Sequence, residues 1–195
     1  MIPLRIKNAG RALLSPIVDL LIKMRITPNI ITSIGIIISL GAGVLYGTGY
    51  FKLGAAVLII GSVFDTFDGM IARKTNSVTS FGAFYDSVSD RFNEFFTLGG
   101  IAYFYLHSGI TGIYLYCIFA SLFFSIMVSY VRARGEGAGA RVTKGLMTRV
   151  ERVIYIIIIS LLPLKYFNYM IILFTILTFI TVFERIIRIK ILLRR

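Results

Sequence analysis

Six apolar segments of membrane-spanning length constrain the fold of this chain more than any other feature of its sequence. They lie near residues 29–49, 52–73, 81–106, 111–133, 149–164 and 167–186. A spanning helix needs about 20 mostly apolar residues, and 57% of this chain is hydrophobic. A soluble domain of 195 residues could not bury so many long apolar runs. The sequence therefore predicts an all-α, polytopic integral membrane protein with six transmembrane helices, forming a single domain over residues 1–195.

An amphipathic pattern precedes the six segments, over about residues 4–24. Apolar side chains such as Leu13 and Ile17 recur there at helical spacing, with polar residues between them. This period predicts a helix that lies in the membrane interface and does not cross the membrane. Thr27 and Pro28 then suit the start of the first span, as a cap and a first-turn residue.

The basic residues are distributed very unevenly along the chain. The net charge of +12 could suggest a nucleic-acid partner, but the distribution indicates a membrane surface. Of the 21 Lys and Arg residues, all but Lys52, Lys165 and Arg91 fall where six spans would place them on one side. Such an excess marks the cytoplasmic side. The sequence thus predicts a cell-membrane protein with both termini on the cytoplasmic side, bound to membrane lipids and not to nucleic acid.

Four of the nine acidic residues lie in one short stretch, FDTFDGMIARKTNSVTSFGAFYDSVSDR. Asp65 and Asp68 are three residues apart near the end of the second span, so they share a helix face. Asp86 and Asp90 are four residues apart near the start of the third span and also share a face. Because consecutive spans are antiparallel, the four carboxylates are expected to converge at the cytoplasmic end of the two helices.

Converging carboxylates at membrane depth are costly unless a cation neutralises them. An all-oxygen set suits Mg²⁺ or Mn²⁺ and could hold two ions, whereas the absence of nearby His and Cys argues against zinc. Such sites commonly serve phosphoryl transfer. Two other interpretations remain open at this point: helix-end charges paired with Arg73, Lys74 and Arg91, and the ion site of a cation transporter. The arginine beside the acids argues against a cation pathway.

The same segment reads D-x2-D-G-x2-A-R-x8-G-x3-D-x3-D from Asp65 to Asp90, and in this it resembles the signature of the CDP-alcohol phosphotransferase family. Members transfer a phosphoalcohol group from a CDP-linked donor to a hydroxyl acceptor and release CMP. The resemblance implies that Asp65, Asp68, Asp86 and Asp90 bind metal and that Asp90 is also the general base. It implies a homodimer. The residues that it assigns to the CDP-lipid are Asn29, Ile30, Ile31, Thr32, Gly69, Arg73, Thr79 and Gly82.

A basic loop, SYVRARGEGAGARVTKGLMTRVER over residues 129–152, indicates which acceptor the chain uses. Arg132, Arg134, Arg149 and Arg152 lie at the ends of two spans, beside the cleft, and could hold a second phosphate. This arrangement is similar to that of the phosphatidylinositol-phosphate and archaetidylinositol-phosphate synthases, although Arg132 stands where those relatives often have Lys. The similarity implies inositol 1-phosphate as acceptor. The alternatives within the family are phosphatidylglycerophosphate and phosphatidylserine synthases.

Two smaller features carry expectations about packing. Glu94 lies one turn beyond Asp90 and is expected to pair with a neighbouring polar group. Gly43 and Gly47 in the first span suit close helix packing, and a dimer interface is one place for it.

Overall fold

The fold is entirely helical over the residues that the computed structural model describes, 4–110, 112–140 and 145–194, with side chains from residue 13 onward. The all-α class is thereby confirmed. The start of the expected span at residue 111 lies outside the described residues, and so do the side chains of several basic residues used for the orientation. Seven helices follow one another within these described residues: α1 Leu4–Lys23, α2 Pro28–Gly47, α3 Phe51–Lys74, α4 Ser80–His107, α5 Ile113–Gly137, α6 Arg149–Ser160 and α7 Leu164–Leu193.

Four of these helices, α2, α3, α5 and α7, are long and apolar enough to cross a membrane. They indicate a multi-pass membrane protein. Helix α4 has 28 residues, but its charged residues lower its hydropathy. Helix α6 has only 12 residues, about 18 Å at the α-helical rise, so the segment predicted over 149–164 is shorter than expected. It ends early because Pro163 disfavours helical backbone at the residue before it.

Helix α1 packs along α3. Val18 is fully buried and lies in one cluster with Ile31, Phe67 and Ile71, while apolar residues such as Leu13 and Leu20 on the same helix are exposed. A helix is therefore present where the N-terminal helix was predicted. Its amphipathic character and its position in the membrane interface stay predictions.

Helix α2 lies between the two helices that carry the aspartates, because it packs against both α3 and α4. Helices α3 and α4 face one another across a cleft, with α2 at its back. The aspartates therefore line an open groove.

The α2–α4 contact depends on two glycines. A Cβ added at Gly100 would overlap the backbone of Gly43, and one added at Gly43 would overlap the carbonyl of Phe96. The expected close packing at Gly43 is thus an intramolecular contact with α4. Since backbone meets backbone here, neither helix can move aside by a side-chain rotation.

We expect Gly100→Ala to destabilise the protein by about 1–3 kcal/mol, as overpacking does in a filled core. Gly99→Ala is the matched control, because a Cβ at Gly99 meets nothing within 4 Å and alanine favours helix by about 0.5–1 kcal/mol. Thermal melting of the two variants in detergent measures the difference. Equal melting temperatures would contradict the close approach of α2 and α4.

The largest buried side chains lie at the end of the bundle opposite the aspartates. Tyr46, Tyr105 and Phe167 are almost fully buried in one cluster, and the Tyr46 hydroxyl lies 3.0 Å from the hydroxyl of Ser160. This cluster joins the ends of α2, α4, α6 and α7. The helices are thus held together at one end and diverge around the acidic groove at the other.

Candidate active site

Three of the four aspartates form one group across the groove. Asp65, Asp68 and Asp86 each have a carboxylate oxygen within 4.8 Å of one on the others. Asp90 lies outside this group. Its Oδ1 is 2.7 Å from Nη1 of Arg149, without the geometry of a hydrogen bond. The structure therefore brings together three of the four expected metal ligands.

Each acid of the group is held differently. Asp68 is 7% exposed and its Oδ2 accepts a hydrogen bond of 2.7 Å from the hydroxyl of Thr32, while the Gly69 amide donates to Oδ1. Asp65 accepts two hydrogen bonds from Arg149, of 2.6 and 3.0 Å. Asp86 makes no hydrogen bond or ion pair closer than 4 Å to any other described side chain. Its carboxylate is the most available to a ligand.

The group fits a hard divalent cation. All the donors are carboxylate oxygens, the ligands preferred by Mg²⁺ and Mn²⁺. Three such groups close together repel one another unless a positive charge lies among them, and Arg149 contacts only Asp65 within the group. The arrangement could therefore hold a metal ion through Asp68 and Asp86, with Asp65 shared between the ion and Arg149.

A first cavity of about 570 Å³ opens between the α1–α2 turn, the end of α3 and the start of α4. Its lining includes six of the eight residues assigned to the CDP-lipid: Asn29, Thr32, Gly69, Arg73, Thr79 and Gly82. The other two do not line it. Ile31 is buried in the α1–α3 core, with 1% of its surface exposed, and Ile30 is an exposed apolar residue. The structure therefore does not bring these two side chains to the cavity.

The glycines shape the wall of this first cavity. A Cβ at Gly69 would be 3.2 Å from the guanidinium of Arg73, so glycine lets this arginine lie over the α3 backbone. At the start of α4, Thr79 is the N-cap and accepts a hydrogen bond of 3.0 Å from the Gly82 amide. Helix α2 also begins at this cavity, with Thr27 as N-cap residue but without a side-chain capping bond. Two helix N-termini therefore border it, which favours anions.

A second cavity of about 280 Å³ lies on the other side of the acidic group. It shares Ala83 and Asp86 with the first cavity, so Asp86 stands where the two meet, with the carboxylates of Asp65 and Asp68 close to it. Asp90 lines only the second. Most of its other charged lining is basic: Arg91, Arg132, Arg149, Arg152 and Arg185, with Glu136.

The four arginines assigned to the acceptor phosphate have different surroundings. Arg132 lines the second cavity and pairs with Glu136 at 2.9 Å on the exposed rim. Arg149 is bound to the acidic group, as described above. Arg152 is 3% exposed and donates to Glu94 and to the carbonyl of Met147. Arg134 is exposed and does not line the cavity, so the structure does not bring it to the site.

Arg185 belongs to the lining of the second cavity, but it is not among the residues that the sequence predicts for the site. It is 3% exposed, lines the second cavity, and donates a 2.6 Å hydrogen bond to the carbonyl of Val128. The sequence contains a pattern that could have identified Arg185, namely polar residues at helical spacing on one face of α7. Thr178 and Thr181 precede it at helical spacing and are both fully buried, so the inward face of α7 continues through Arg185.

A small interior cavity of about 40 Å³ lies deeper, between Glu94 and Arg149. Buried polar atoms without a hydrogen-bond partner among the described residues line it: Asn93 Oδ1, Glu94 Oε2, Ser125 Oγ and Arg149 Nε. Such atoms are normally satisfied by water, and a volume of this size holds roughly two or three molecules. The expectation that Glu94 pairs with a polar neighbour is confirmed by its ion pair with Arg152.

Comparison with known proteins identifies the family of this chain and supports its fold. The sequence model of the family described as CDP-alcohol phosphatidyltransferase matches residues 25–183. The chain therefore belongs to the CDP-alcohol phosphatidyltransferase family, and it is a membrane transferase of phospholipid synthesis.

Two similar proteins come from an archaeon and a bacterium. The archaetidylinositol phosphate synthase of Pyrococcus horikoshii is 38% identical over 143 residues, which cover 72% of this chain and 72% of that protein. The phosphatidylinositol phosphate synthase of Corynebacterium glutamicum is 31% identical over 160 residues, 79% of this chain and 71% of that protein.

The fold is also that of a solved enzyme, the phosphatidylinositol phosphate synthase of Mycobacterium tuberculosis. Its crystal structure with CDP-DAG bound gives a TM-score of 0.86 at 24% identity, covering 91% of this chain and 94% of that one. A structure of the same enzyme with manganese and citrate gives 0.83, covering 90% and 88%. These likenesses establish the fold of the present chain.

Proposed function

We propose that this enzyme transfers the phosphatidyl or archaetidyl group of a CDP-linked diradylglycerol to a hydroxyl of inositol 1-phosphate, releasing CMP. One observation carries the proposal: a group of metal-binding type, Asp65, Asp68 and Asp86, stands where a nucleotide-sized cavity meets an arginine-lined one. Donor and acceptor would enter from opposite sides and meet at the carboxylates. The named relatives in Pyrococcus and Corynebacterium support inositol phosphate as the acceptor.

The proposed metal ligands are Asp65, Asp68 and Asp86, and Mg²⁺ is the proposed ion, with Mn²⁺ as a substitute. A bound divalent ion would neutralise charge on the diphosphate and on the departing CMP. Arg73, folded over Gly69 at the edge of the first cavity, would contact the same diphosphate. A second ion, and Asp90 as a fourth ligand, stay predictions.

Asp90 is the proposed general base. The acceptor oxygen bonds to the β-phosphorus, and the bond from that phosphorus to the bridging oxygen breaks, so CMP leaves with the bridging oxygen. The acceptor hydroxyl loses its proton, which Asp90 takes up. The position of Asp90 supports this role, because it lies outside the three-acid group and borders only the arginine-lined cavity.

The acceptor phosphate is assigned to the second cavity. Arg132 and Arg185 are the favoured contacts, because the guanidinium groups of Arg149 and Arg152 are bound to the shielded carboxylates of Asp65 and Glu94. Arg132 pairs with Glu136 only on the exposed rim, and Arg185 pairs with no carboxylate among the described residues. Glycerol 3-phosphate also carries a phosphate, and serine does not, so phosphatidylglycerophosphate synthesis is the stronger alternative within the family.

Membership of a transferase family leaves the cation-transporter interpretation without support.

An acceptor panel tests the assignment. Purified protein in detergent is given CDP-diacylglycerol, Mg²⁺ and one acceptor, either inositol 1-phosphate, glycerol 3-phosphate, serine or free inositol, and CMP release is measured. We expect CMP only with inositol 1-phosphate. If CMP is released only with glycerol 3-phosphate, that compound is the acceptor in place of inositol 1-phosphate. If no acceptor gives metal-dependent CMP release, the proposed reaction is refuted.

The side chain that distinguishes acceptor from donor binding is Arg132. We expect Arg132→Gln to raise KM for inositol 1-phosphate about tenfold, the loss of one charge-assisted hydrogen bond, with little change in KM for the CDP-lipid. Arg134→Gln is the matched control, since it removes the same charge two residues away and outside the cavity. Equal effects of the two substitutions would show that only general surface charge matters.

We also propose that the chain crosses the membrane six times, and that the active site and both termini lie on the cytoplasmic side. Helix α4 would cross despite its acids because they face the groove. Helix α6 can be short because it begins at the level of Asp65, to which Arg149 is bound, well inside the end of α3 at Lys74. The excess of Lys and Arg at the ends of the helices near the groove supports this orientation. The homodimer likewise stays a prediction.

A further inference from the structure

Arg25 has a backbone conformation that is unusual for its residue type. Its φ is 58°, and among the described residues only Asn76 shares a positive φ without being glycine. It follows the end of α1, where the Arg25 amide donates to the carbonyl of Ile22 and the Ile26 amide to that of Leu21. These two bonds define the helix-ending motif whose left-handed position is normally glycine. A side chain here costs on the order of 1 kcal/mol.

The Arg25 side chain lines the first cavity, together with Asn29, Gly69 and Arg73. It is exposed and has no hydrogen bond or ion pair with any side chain that the structure describes. The acidic residue on α1, Asp19, already forms an ion pair with another cation. Lys74 donates a hydrogen bond of 2.7 Å to Asp19, and this bond lowers the pKa of the Asp19 carboxyl. Arg25 therefore presents an uncompensated positive charge to the cavity.

We infer that Arg25 binds the diphosphate of the CDP-linked donor, an inference that rests on the proposed function. The two guanidinium groups of this cavity, Arg25 and Arg73, come from different walls and could contact the diphosphate from two directions. A guanidinium group binds phosphate oxygens with paired hydrogen bonds. The binding energy would offset the strain of an arginine at a glycine position, and backbone strain of this kind commonly marks functional sites.

The phosphate of an anionic membrane lipid has the same chemistry and could also attract an exposed arginine near the membrane surface. The position of Arg25 in the wall of the cavity favours the nucleotide. The test therefore uses soluble CDP in a neutral detergent, where no anionic lipid is present, and a separate arm with phosphatidylglycerol vesicles.

Arg25→Gly is the informative variant, because it removes the charge and relieves the strain together. By calorimetry with CDP and Mg²⁺, we expect its Kd to rise ten- to a hundredfold, while its melting temperature without nucleotide stays equal or increases. Arg25→Asn, which tolerates the left-handed conformation, should weaken CDP binding similarly, and Arg25→Lys should keep part of it. Lys23→Gln is the control, as an exposed cation on α1 that does not line the cavity.

The outcomes separate this inference from the function on which it rests. If the unaltered protein binds CDP and Arg25→Gly binds it equally well, the role of Arg25 is refuted and the proposed function stands. If Arg25→Gly binds phosphatidylglycerol vesicles more weakly but keeps its affinity for CDP, Arg25 binds membrane lipid. That result would also refute its role in binding the diphosphate. If the unaltered protein binds no CDP in the presence of Mg²⁺, the proposed function itself fails.

Discussion

Asp86→Asn is expected to reduce CMP release about a thousandfold, which corresponds to the several kcal/mol that a bound metal ion contributes to a phosphoryl-transfer transition state. Asp86 is the acid that borders both cavities. It makes no hydrogen bond or ion pair closer than 4 Å to another described side chain, and asparagine has nearly the same shape. The protein should therefore stay folded while it loses one anionic ligand.

The dependence on metal concentration distinguishes this explanation from a general loss of activity. The variant should need a higher Mg²⁺ concentration for its residual activity, because the neutral amide oxygen of asparagine is a weaker ligand for a hard cation than a carboxylate. Asp19→Asn is the matched control. It makes the same chemical change in an exposed ion pair, where little loss of stability is expected. Full activity of Asp86→Asn at low Mg²⁺ would exclude the acidic group as the metal site.

Glu94→Leu is expected to destabilise the protein by about 3–5 kcal/mol, because it leaves the Arg152 charge buried without a partner. Glu94 is 8% exposed and Arg152 3%, and Glu94 is the only carboxylate that pairs with Arg152 among the described residues. The substitution also removes Glu94 Oε2 from the polar interior cavity beside Arg149. Thermal melting in detergent should show a clear decrease for this variant.

The double variant Glu94→Leu with Arg152→Leu separates the charge effect from the loss of packing. Replacing both members of a buried ion pair by apolar residues is often neutral or stabilising, so the double variant should recover most of the lost stability. It should not recover activity, because Arg152 also lines the second cavity. A double variant as unstable as Glu94→Leu alone would show that the ion pair is not the source of the loss.

The sequence was sufficient to predict the helices and the chemistry of the groove. Helical periodicity places Asp65 with Asp68, and Asp86 with Asp90, on common faces whatever the neighbours are. The length of each apolar run predicts a helix, because backbone groups in lipid must bond within their own segment. The spacing of the acids was also the basis of the family resemblance, which the family match confirms.

The relations between helices could not be read from periodicity, because it describes one helix at a time. The backbone contact of Gly43 with Gly100 holds α2 against α4, and the contacts of α2 with both α3 and α4 place it behind the groove. The same packing selects partners among chemically equivalent arginines. Arg149 binds Asp65 and Arg152 binds Glu94, whereas Arg134, at a similar position in the sequence, faces away from the site.

The sequence by itself thus determined which residues are acidic, which segments are apolar, and which side chains share a helix face. Only the tertiary structure decided that three aspartates and not four form one group, that Arg185 lines the second cavity, and that Arg25 lines the first. The physical reason is that a side chain's partners depend on the distance and rotation between helices. These are set by close packing among residues far apart in the chain.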